Sequence, residues 1–212
     1  NPKAVVLVHL YGTPAKLDEI MEICAEHNVP VVEDAAEGPG GEYKGKKLGS
    51  FGDYGILSFN GNKIITTSGG GMLVGNDEER LKTVLKWITQ SREPARWYEH
   101  KELGYNYRMS NIVAGIGRGQ FTALEDHVEQ KTNIYYKYKE AFKDLPITMQ
   151  PFEECAKPNH WLSAATIDED CNISPFTITD RLAEENVETR PIWKPMHMQP
   201  IYKDCDYFAH NE

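Results

Sequence analysis

The chain has 212 residues, 40% of them hydrophobic and 26% charged, and 23 basic against 32 acidic residues give a net charge of −9. A chain of this length can bury a core, and its acidic balance argues against broad binding to nucleic acid or anionic lipid. No apolar run approaches the roughly 20 residues of a membrane-spanning helix, so we expect neither a nucleic acid nor a membrane as partner.

The first 37 residues predict a strand–helix–strand unit. Residues 4–11 form an almost continuous apolar run, which is typical of a strand covered on both faces. Residues 14–28 place apolar side chains at helical spacing and end at Asn28, and residues 29–37 are a second buried strand that runs into acidic residues. Short connections between these elements predict a parallel sheet and an α/β fold.

The next elements alternate strands with helices. Residues 38–52, rich in glycine and lysine, read as a loop, and two strands at residues 54–60 and 71–76 follow it. Residues 77–91 have the pattern of a helix with an acidic first turn. After an aromatic, charged loop, a long helix is expected from Ser110 to Phe142, with a break near residues 115–119.

The pattern of apolar and polar residues changes from Pro146 onward, where shorter strand-like runs and one helix-like run predict a smaller α+β lobe. We therefore expect a large domain at residues 1–143, which includes the long connecting helix, and a small domain at residues 144–212. The four cysteines, which form no CxxC pair, are typical of free thiols in a reducing, cytoplasmic compartment rather than of disulfides or a metal site: Cys24, Cys155, Cys171 and Cys205.

Three polar residues stand where ligands bind in an α/β sheet, which is beyond the carboxyl ends of its parallel strands. Asp34 ends the second strand, Ser58 ends the next, and Lys63 follows five residues later in "SFNGNKIITTSGGG". Each has an ordinary alternative: Asp34 as a helix cap, Ser58 as a turn residue and Lys63 as a surface lysine. Together an amine, an acid and a phosphate-binding hydroxyl are the groups that pyridoxal phosphate chemistry needs.

The stretches "VVEDAAE", "GSFGDYGILSFNGNKIITTSGGGMLVG" and "GYNYRMSN" resemble the DegT/DnrJ/EryC1/StrS family of sugar aminotransferases. The resemblance covers nearly the whole chain and is strongest to the UDP-4-amino-sugar transaminases of the UDP-N-acetylbacillosamine pathway. It implies the aspartate aminotransferase type I fold, with a cofactor-binding large domain and part of a small C-terminal domain. Because the family has an N-terminal segment absent here and continues past Glu212, we expect this chain to be a fragment.

The resemblance also implies roles for individual residues. Asp34 matches the aspartate that pairs with the pyridinium nitrogen of pyridoxal phosphate, Ser58 a phosphate-binding serine, and Lys63 the lysine that binds the cofactor covalently. Glu37 stands where many members have glutamine near the phenolic oxygen of the cofactor. A carboxylate there would repel a phenolate unless one of the two is protonated.

Two further matches concern the dimer and the substrate. Asn106, in "GYNYRM", matches an asparagine that reaches the cofactor phosphate of the neighbouring subunit, which implies a homodimer with shared active sites. His197 lies in "RPIWKPMHMQP", a segment expected either on the substrate side or as a proline-rich surface strand end.

The favoured function is therefore a pyridoxal phosphate-dependent aminotransferase, with glutamate as amino donor and a nucleotide-linked 4-keto-6-deoxy sugar, UDP-linked, as acceptor. A noncatalytic cofactor-binding or regulatory protein, or an inert fragment, is the alternative from another class. A sugar dehydratase of the same family is disfavoured, because those enzymes typically replace the lysine with histidine. A dinucleotide-binding domain is disfavoured because no GxGxxG motif follows either early strand.

Overall fold

The computed structural model describes residues 2–209. Its strands are β1 (Val5–Val8), β2 (Val31–Asp34), β3 (Glu42–Tyr43), β4 (Lys46–Lys47), β5 (Tyr54–Ser58), β6 (Gly71–Gly75), β7 (Ile147–Met149), β8 (Ala156–Lys157) and β9 (Ala165–Ile167). Its α-helices are α1 (Leu17–Glu26), α2 (Glu78–Ile88), α3 (Asn111–Phe121), α4 (Leu124–Ala141) and α5 (Pro175–Glu184).

A four-stranded sheet in the order β1-β2-β5-β6 forms the centre of the fold. Strands β1, β2 and β5 are parallel, and β6 returns antiparallel beside β5. The predicted strand–helix–strand unit and α/β fold are thus confirmed. Because parallel strands have their carboxyl ends on the same side of the sheet, the segments that follow Val8, Asp34 and Ser58 meet on that side.

The first strand is shorter and more open than the sequence predicts. It ends at Val8, and residues 10–12 form a 3₁₀ turn in which Tyr11 adopts a left-handed conformation with φ 58°. Only one face of β1 packs into the core, through Leu7, while Val6 is 63% exposed. The prediction of a strand covered on both faces is therefore wrong for the described residues, because none of them covers the face that carries Val6 and Val8.

Helix α1 covers the face of the sheet that carries Leu7, where its Leu17 and Cys24 are buried in the same cluster. The predicted stop at Asn28 is confirmed, since this residue adopts the left-handed φ of 53° that reverses the chain after a helix. The segment predicted as a plain loop, residues 38–52, contains the short hairpin β3–β4. Strand β8 adds to this hairpin by pairing with β3.

The long helix predicted from Ser110 to Phe142 is two helices, α3 and α4. Ser110 caps α3, because its hydroxyl accepts a hydrogen bond from the Val113 N–H. The break falls at residues 122–123 rather than at the glycines. The N–H groups of Thr122 and Ala123 bond to the carbonyl oxygens three residues before them, which tightens the turn there. Gly117 stays helical, and a Cβ there would lie 3.0 Å from the Thr67 methyl group, so α3 passes close to the segment after Lys63.

The second half of the chain packs into the first. Trp161 joins Tyr11, Ile64, Ile65 and Leu124 in a buried cluster beside the sheet. These contacts, and the pairing of β8 with β3, cross the predicted boundary between residues 143 and 144, and the division into two domains stays a prediction. Across residues 2–209, no helix has the length and apolarity to cross a membrane. The four cysteines are free thiols.

Candidate active site

Asp34 and Ser58 lie at the carboxyl ends of β2 and β5, where the sequence predicts them. Asp34 is the last residue of β2 and pairs in register with Ile56 of β5, so Ser58 lies two residues further along the neighbouring strand. Both residues are half-buried. One Asp34 carboxylate oxygen accepts a hydrogen bond from the Ala36 N–H at 3.1 Å, which fixes the carboxylate beside the turn after β2. The turn residue Glu37 follows directly.

Lys63 faces Glu37. Its amino nitrogen lies 3.7 Å from Glu37 Oε1, and its side chain is only 12% exposed. The other oxygen of Glu37 accepts a short hydrogen bond of 2.6 Å from the Tyr11 N–H. Lys63 is therefore a largely enclosed side chain with a carboxylate partner, and not a lysine that extends into solvent.

The pKa of Glu37 depends on burial and on the charged groups near it, Asp34 and Lys63. Burial raises the pKa of the Glu37 carboxyl, and the negative charge of Asp34 raises it further. The Tyr11 N–H bond and the positive charge of Lys63 oppose this rise without cancelling it. Asp34 and Lys63 thus both lie close enough to Glu37 for their charges to affect its pKa.

The loop that carries Lys63 is held at several points by other parts of the chain. The Lys63 N–H donates to the Asn60 carbonyl at 3.0 Å, which closes a tight turn. The Asn62 carbonyl accepts from the Trp161 indole N–H at 2.8 Å, and the Ile64 carbonyl is 2.8 Å from His127 Nδ1. The backbone on both sides of Lys63 is consequently fixed, which holds the amino group in place.

A buried pair that the sequence reasoning did not find, His9 and Glu33, supports the same edge from behind. Both side chains are fully buried, and His9 Nε2 lies 2.8 Å from Glu33 Oε1. Since His9 Nδ1 accepts the Ala15 N–H, the ring proton is on Nε2 and donates to Glu33. A histidine and a glutamate, each one residue from a strand end, are the only sequence signal for this pair.

Glu33 also organises the loop before β5. Its carboxylate accepts the N–H groups of Gly49, Phe51 and Gly52 in addition to the His9 ring. Burial by itself raises the pKa of Glu33, but these hydrogen bonds outweigh it and hold the pKa below its usual value. A charged Glu33 therefore ties β2, through which Asp34 is placed, to the neighbouring loop.

Two more residues of the site, Asn159 and Trp161, are not predicted from the sequence. The stretch "NHWLSAATID" has a strand-like pattern but no motif that indicates a functional role. The buried Asn159 amide donates to the carbonyls of Glu37 at 2.7 Å and Pro39 at 2.8 Å. The ring of Trp161 lies beside Lys63, with the amino nitrogen 4.2 Å from the ring centroid.

Asn106 and His197 do not join this cluster through any contact among the described residues. Asn106 is exposed in the loop after α2, where it forms an isolated bridge with Thr89. His197 is exposed in a 3₁₀ turn and stacks on Tyr207, with ring centroids 3.8 Å apart. Another residue of the "RPIWKPMHMQP" segment does reach the site, since the Trp193 N–H donates to the Tyr11 hydroxyl at 2.8 Å.

Solved structures share this fold. The chain matches the aminotransferase PseC from Helicobacter pylori with a TM-score of 0.88 and 24% identity, covering 98% of this chain and 57% of PseC. It matches Spr1654 from Streptococcus pneumoniae in its PLP form with a TM-score of 0.88 and 20% identity, covering 97% of this chain and 58% of that one. At these identities the likeness establishes the fold, which is that of the pyridoxal phosphate-dependent aminotransferases.

The residues of this chain fit that cofactor. An enclosed amine, a carboxylate at a strand end and a strand-end hydroxyl lie at one edge of the sheet, as Lys63, Asp34 and Ser58. This donor set has an amine for the cofactor aldehyde, an anion for its ring nitrogen and a hydroxyl for its phosphate.

Curated relatives extend over the same residues. The chain is 49% identical over 212 residues to "Putative pyridoxal phosphate-dependent aminotransferase EpsN" of Bacillus subtilis (strain 168), covering 100% of this chain and 54% of EpsN. It is 38% identical over 202 residues to GDP-perosamine synthase of Escherichia coli O157:H7, covering 95% of this chain and 55% of that enzyme.

A third relative is the UDP-4-amino-4,6-dideoxy-N-acetyl-beta-L-altrosamine transaminase of Campylobacter jejuni (strain 81-176), 34% identical over 142 residues, which cover 66% of this chain and 38% of that enzyme. The chain thus spans about half the length of the first two relatives. The family model for DegT/DnrJ/EryC1/StrS aminotransferases matches residues 1–211. The chain belongs to the DegT/DnrJ/EryC1/StrS aminotransferase family, whose members depend on pyridoxal phosphate.

Proposed function

We propose that the whole protein transfers an amino group from glutamate to the 4-keto carbon of a nucleotide-linked 6-deoxy sugar, with UDP as the nucleotide. The observation that carries this proposal is the enclosed amino group of Lys63, 3.7 Å from Glu37 at the edge where Asp34 and Ser58 stand. A lysine amine is a nucleophile for a carbonyl carbon in its uncharged form. The same amine is placed to move protons at the carbon that gains or loses the amino group.

When bound, pyridoxal phosphate supplies a carbonyl that takes up the amino group and a ring that accepts electrons. Asp34 holds a proton at the ring nitrogen, because its carboxylate is kept in place by the Ala36 N–H. Ser58 contributes a hydroxyl to the phosphate at the end of β5. Lys63 would hold the cofactor through its aldehyde, and its amine would accept and return a proton on the substrate side.

The acceptor is inferred from the relatives. A GDP-perosamine synthase and a UDP-amino-sugar transaminase are both named for products that are amino sugars linked to a nucleotide. A nucleotide-linked keto sugar is the acceptor that such a transfer requires. The product would serve glycan or surface polysaccharide biosynthesis in the cytoplasm, the compartment that the four free thiols favour.

We further propose that the whole protein is a homodimer with shared sites. Asn106 is exposed and lies away from the Lys63 cluster, as expected for a residue that serves the phosphate of the neighbouring subunit. His197 is assigned to the substrate side, in the segment whose Trp193 contacts Tyr11.

Reduction of the whole protein with borohydride in the presence of pyridoxal phosphate tests the central assignment. A covalent adduct should be found at Lys63 by peptide mass spectrometry, and it should be lost in Lys63→Ala but retained in the control Lys82→Ala, whose lysine lies on the surface of α2. Adduct retained at the wild-type level in Lys63→Ala would refute the role of Lys63.

Substrate assays then separate the catalytic from the noncatalytic reading. UDP-, GDP- and TDP-linked 4-keto sugars are each incubated with glutamate, and amino-sugar formation is measured. Asp34→Asn should lower the rate by about a hundredfold or more, because a neutral amide cannot hold the ring proton. An adduct at Lys63 with no transfer to any of these sugars would favour a noncatalytic binding protein.

A further inference from the structure

We propose that Trp161 is a positioning residue for Lys63: its indole ring holds the lysine amino group, and its N–H fixes the backbone next to it. The chemical role of Lys63 rests on the function proposed above, whereas its contact with Trp161 does not. Trp161 comes from the segment after β8, almost 100 residues away along the chain.

The first support is the geometry of the ring and the amine. The Lys63 amino nitrogen lies 4.2 Å from the centroid of the Trp161 ring, well inside the roughly 6 Å range of cation–π attraction. Trp161 is 97% buried, so the ring is a fixed surface rather than a mobile side chain. An ammonium group against an indole face is attracted to it, and tryptophan is the strongest aromatic partner.

The second support is the hydrogen bond made by the same side chain. The Trp161 indole N–H donates to the carbonyl of Asn62, the residue before Lys63, at 2.8 Å. One side chain thus restrains both the backbone and the amino group of the Lys63 loop. A buried indole N–H needs some acceptor, but core filling alone would not require that acceptor to be the residue before Lys63, or the ring to face the Lys63 amine.

The third support is the way Trp161 is itself held. Its backbone N–H donates to Asn159 Oδ1 at 2.9 Å, and the amide nitrogen of Asn159 donates to the Glu37 carbonyl. Residues 159–161 therefore contact both partners of the Lys63–Glu37 pair, one through the lysine side chain and one through the glutamate backbone. Lys63 lies between the Glu37 carboxylate at 3.7 Å and the indole ring at 4.2 Å.

Competitive labelling of lysines tests the ring contact without cofactor or substrate. The whole protein is treated with a trace of acetic anhydride, and the extent of labelling at Lys63 is divided by that at the exposed Lys82 in the same sample. Loss of the ring in Trp161→Leu should raise the relative labelling of Lys63 about threefold to tenfold, because the amine then loses the indole face that holds and covers it.

Trp161→Phe is the matched control. Phenylalanine keeps an aromatic face but cannot donate to Asn62, so its labelling ratio should stay within about twofold of wild type. Equal ratios in Trp161→Leu and wild type would overturn the proposal. A Phe variant that labels like the Leu variant would overturn the role of the ring face and leave only the N–H bond to Asn62 as a restraint on the Lys63 loop.

A second measurement leaves Trp161 intact. In protein labelled with ¹⁵N-tryptophan, the Trp161 indole signal, identified by its loss in Trp161→Phe, should shift in Lys63→Met and return towards the wild-type position in Lys63→Arg. An unmoved signal in Lys63→Met overturns the contact even if Trp161→Leu does not fold. Failure of the sugar assays with both contacts intact would overturn the proposed function alone.

Discussion

Replacement of Glu33 by glutamine is expected to be among the most destabilising single-atom changes in this chain. Glu33 Oε1 accepts from the His9 ring at 2.8 Å and from the Gly49 N–H at 2.5 Å. Oε2 accepts from the N–H groups of Phe51 at 2.7 Å and Gly52 at 3.2 Å. Each oxygen of the carboxylate thus serves two donors, and all of them converge on a fully buried side chain.

A glutamine has one acceptor oxygen and one NH₂ group, so in either orientation two of these four donors face another donor. The His9 ring cannot adapt by moving its proton to Nδ1, because that atom already accepts the Ala15 N–H. A buried donor left without a partner costs about 1–3 kcal/mol. Two such donors give an expected loss of about 2–6 kcal/mol in the free energy of unfolding, against a typical total of about 5–15 kcal/mol for a domain.

Urea unfolding followed by circular dichroism, at neutral pH, measures this loss. Glu42→Gln is the matched control, since Glu42 pairs with Lys47 and Lys157 near the surface and its substitution should cost less than about 1 kcal/mol. The pH dependence adds a signature. The pKa of Glu33 is lowered on folding, so its stabilisation is present above the unfolded pKa and is lost as pH falls through the folded pKa.

Glu33→Gln should lack this loss of stability in acid. A Glu33→Gln loss no larger than that of Glu42→Gln would refute the reasoning, because it would mean that the four donors find other partners.

Three further outcomes are expected. Burial lowers the pKa of His160 to about 4, so below about pH 6.5 the unfolded chain binds a proton that the folded chain does not bind. The free energy of unfolding should therefore fall by about 2 kcal/mol between pH 8 and pH 5, and urea unfolding of His160→Phe should lack this fall. Tyr11→Phe keeps the ring but loses the acceptor for the Trp193 N–H, so hydrogen exchange at that amide should accelerate, and an unchanged rate would contradict the contact. Mixing inactive Lys63→Ala and Asn106→Ala chains should restore about a quarter of wild-type activity, since about half of the dimers contain one chain of each kind and one of their two sites is intact. If the subunits exchange and activity does not return, Asn106 has no role across the interface.

The sequence predicts the strands of the central sheet and their order along the chain well, because these depend on local patterns, although it extends β1, β2 and β5 beyond their ends. Apolar runs bounded by turn residues mark β2 and β5, and the acidic end of the β2 pattern places Asp34 correctly at the end of that strand. It predicts the helix break less well. Glycines weaken a helix on average, but α3 needs Gly117 to approach Thr67, and the chain turns at Thr122 instead.

The surroundings of Lys63 could not be predicted in this way. Asn159 meets the Glu37 carbonyl across 122 positions, and the Trp161 indole meets the Asn62 carbonyl across 99. Neither residue has a periodic pattern or a motif around it. Such contacts depend on how the second half of the chain packs onto the first, which local propensity does not determine.

Glu37 illustrates how packing changes the chemical meaning of a residue. The family resemblance suggests that a carboxylate at residue 37 would repel the phenolate of the cofactor. In the fold, burial and the charge of Asp34 raise the pKa of Glu37. The fold opposes them with the Tyr11 N–H at 2.6 Å and the Lys63 amine at 3.7 Å. Tyr11 can present its N–H there because the turn after β1 is left-handed, and its hydroxyl accepts the Trp193 N–H. Glu37 therefore connects the lysine loop to the C-terminal segment. A change that displaces Trp193 should be felt at Lys63 through Tyr11 and Glu37, and also through Trp161, whose ring centroid lies 6.1 Å from that of Trp193.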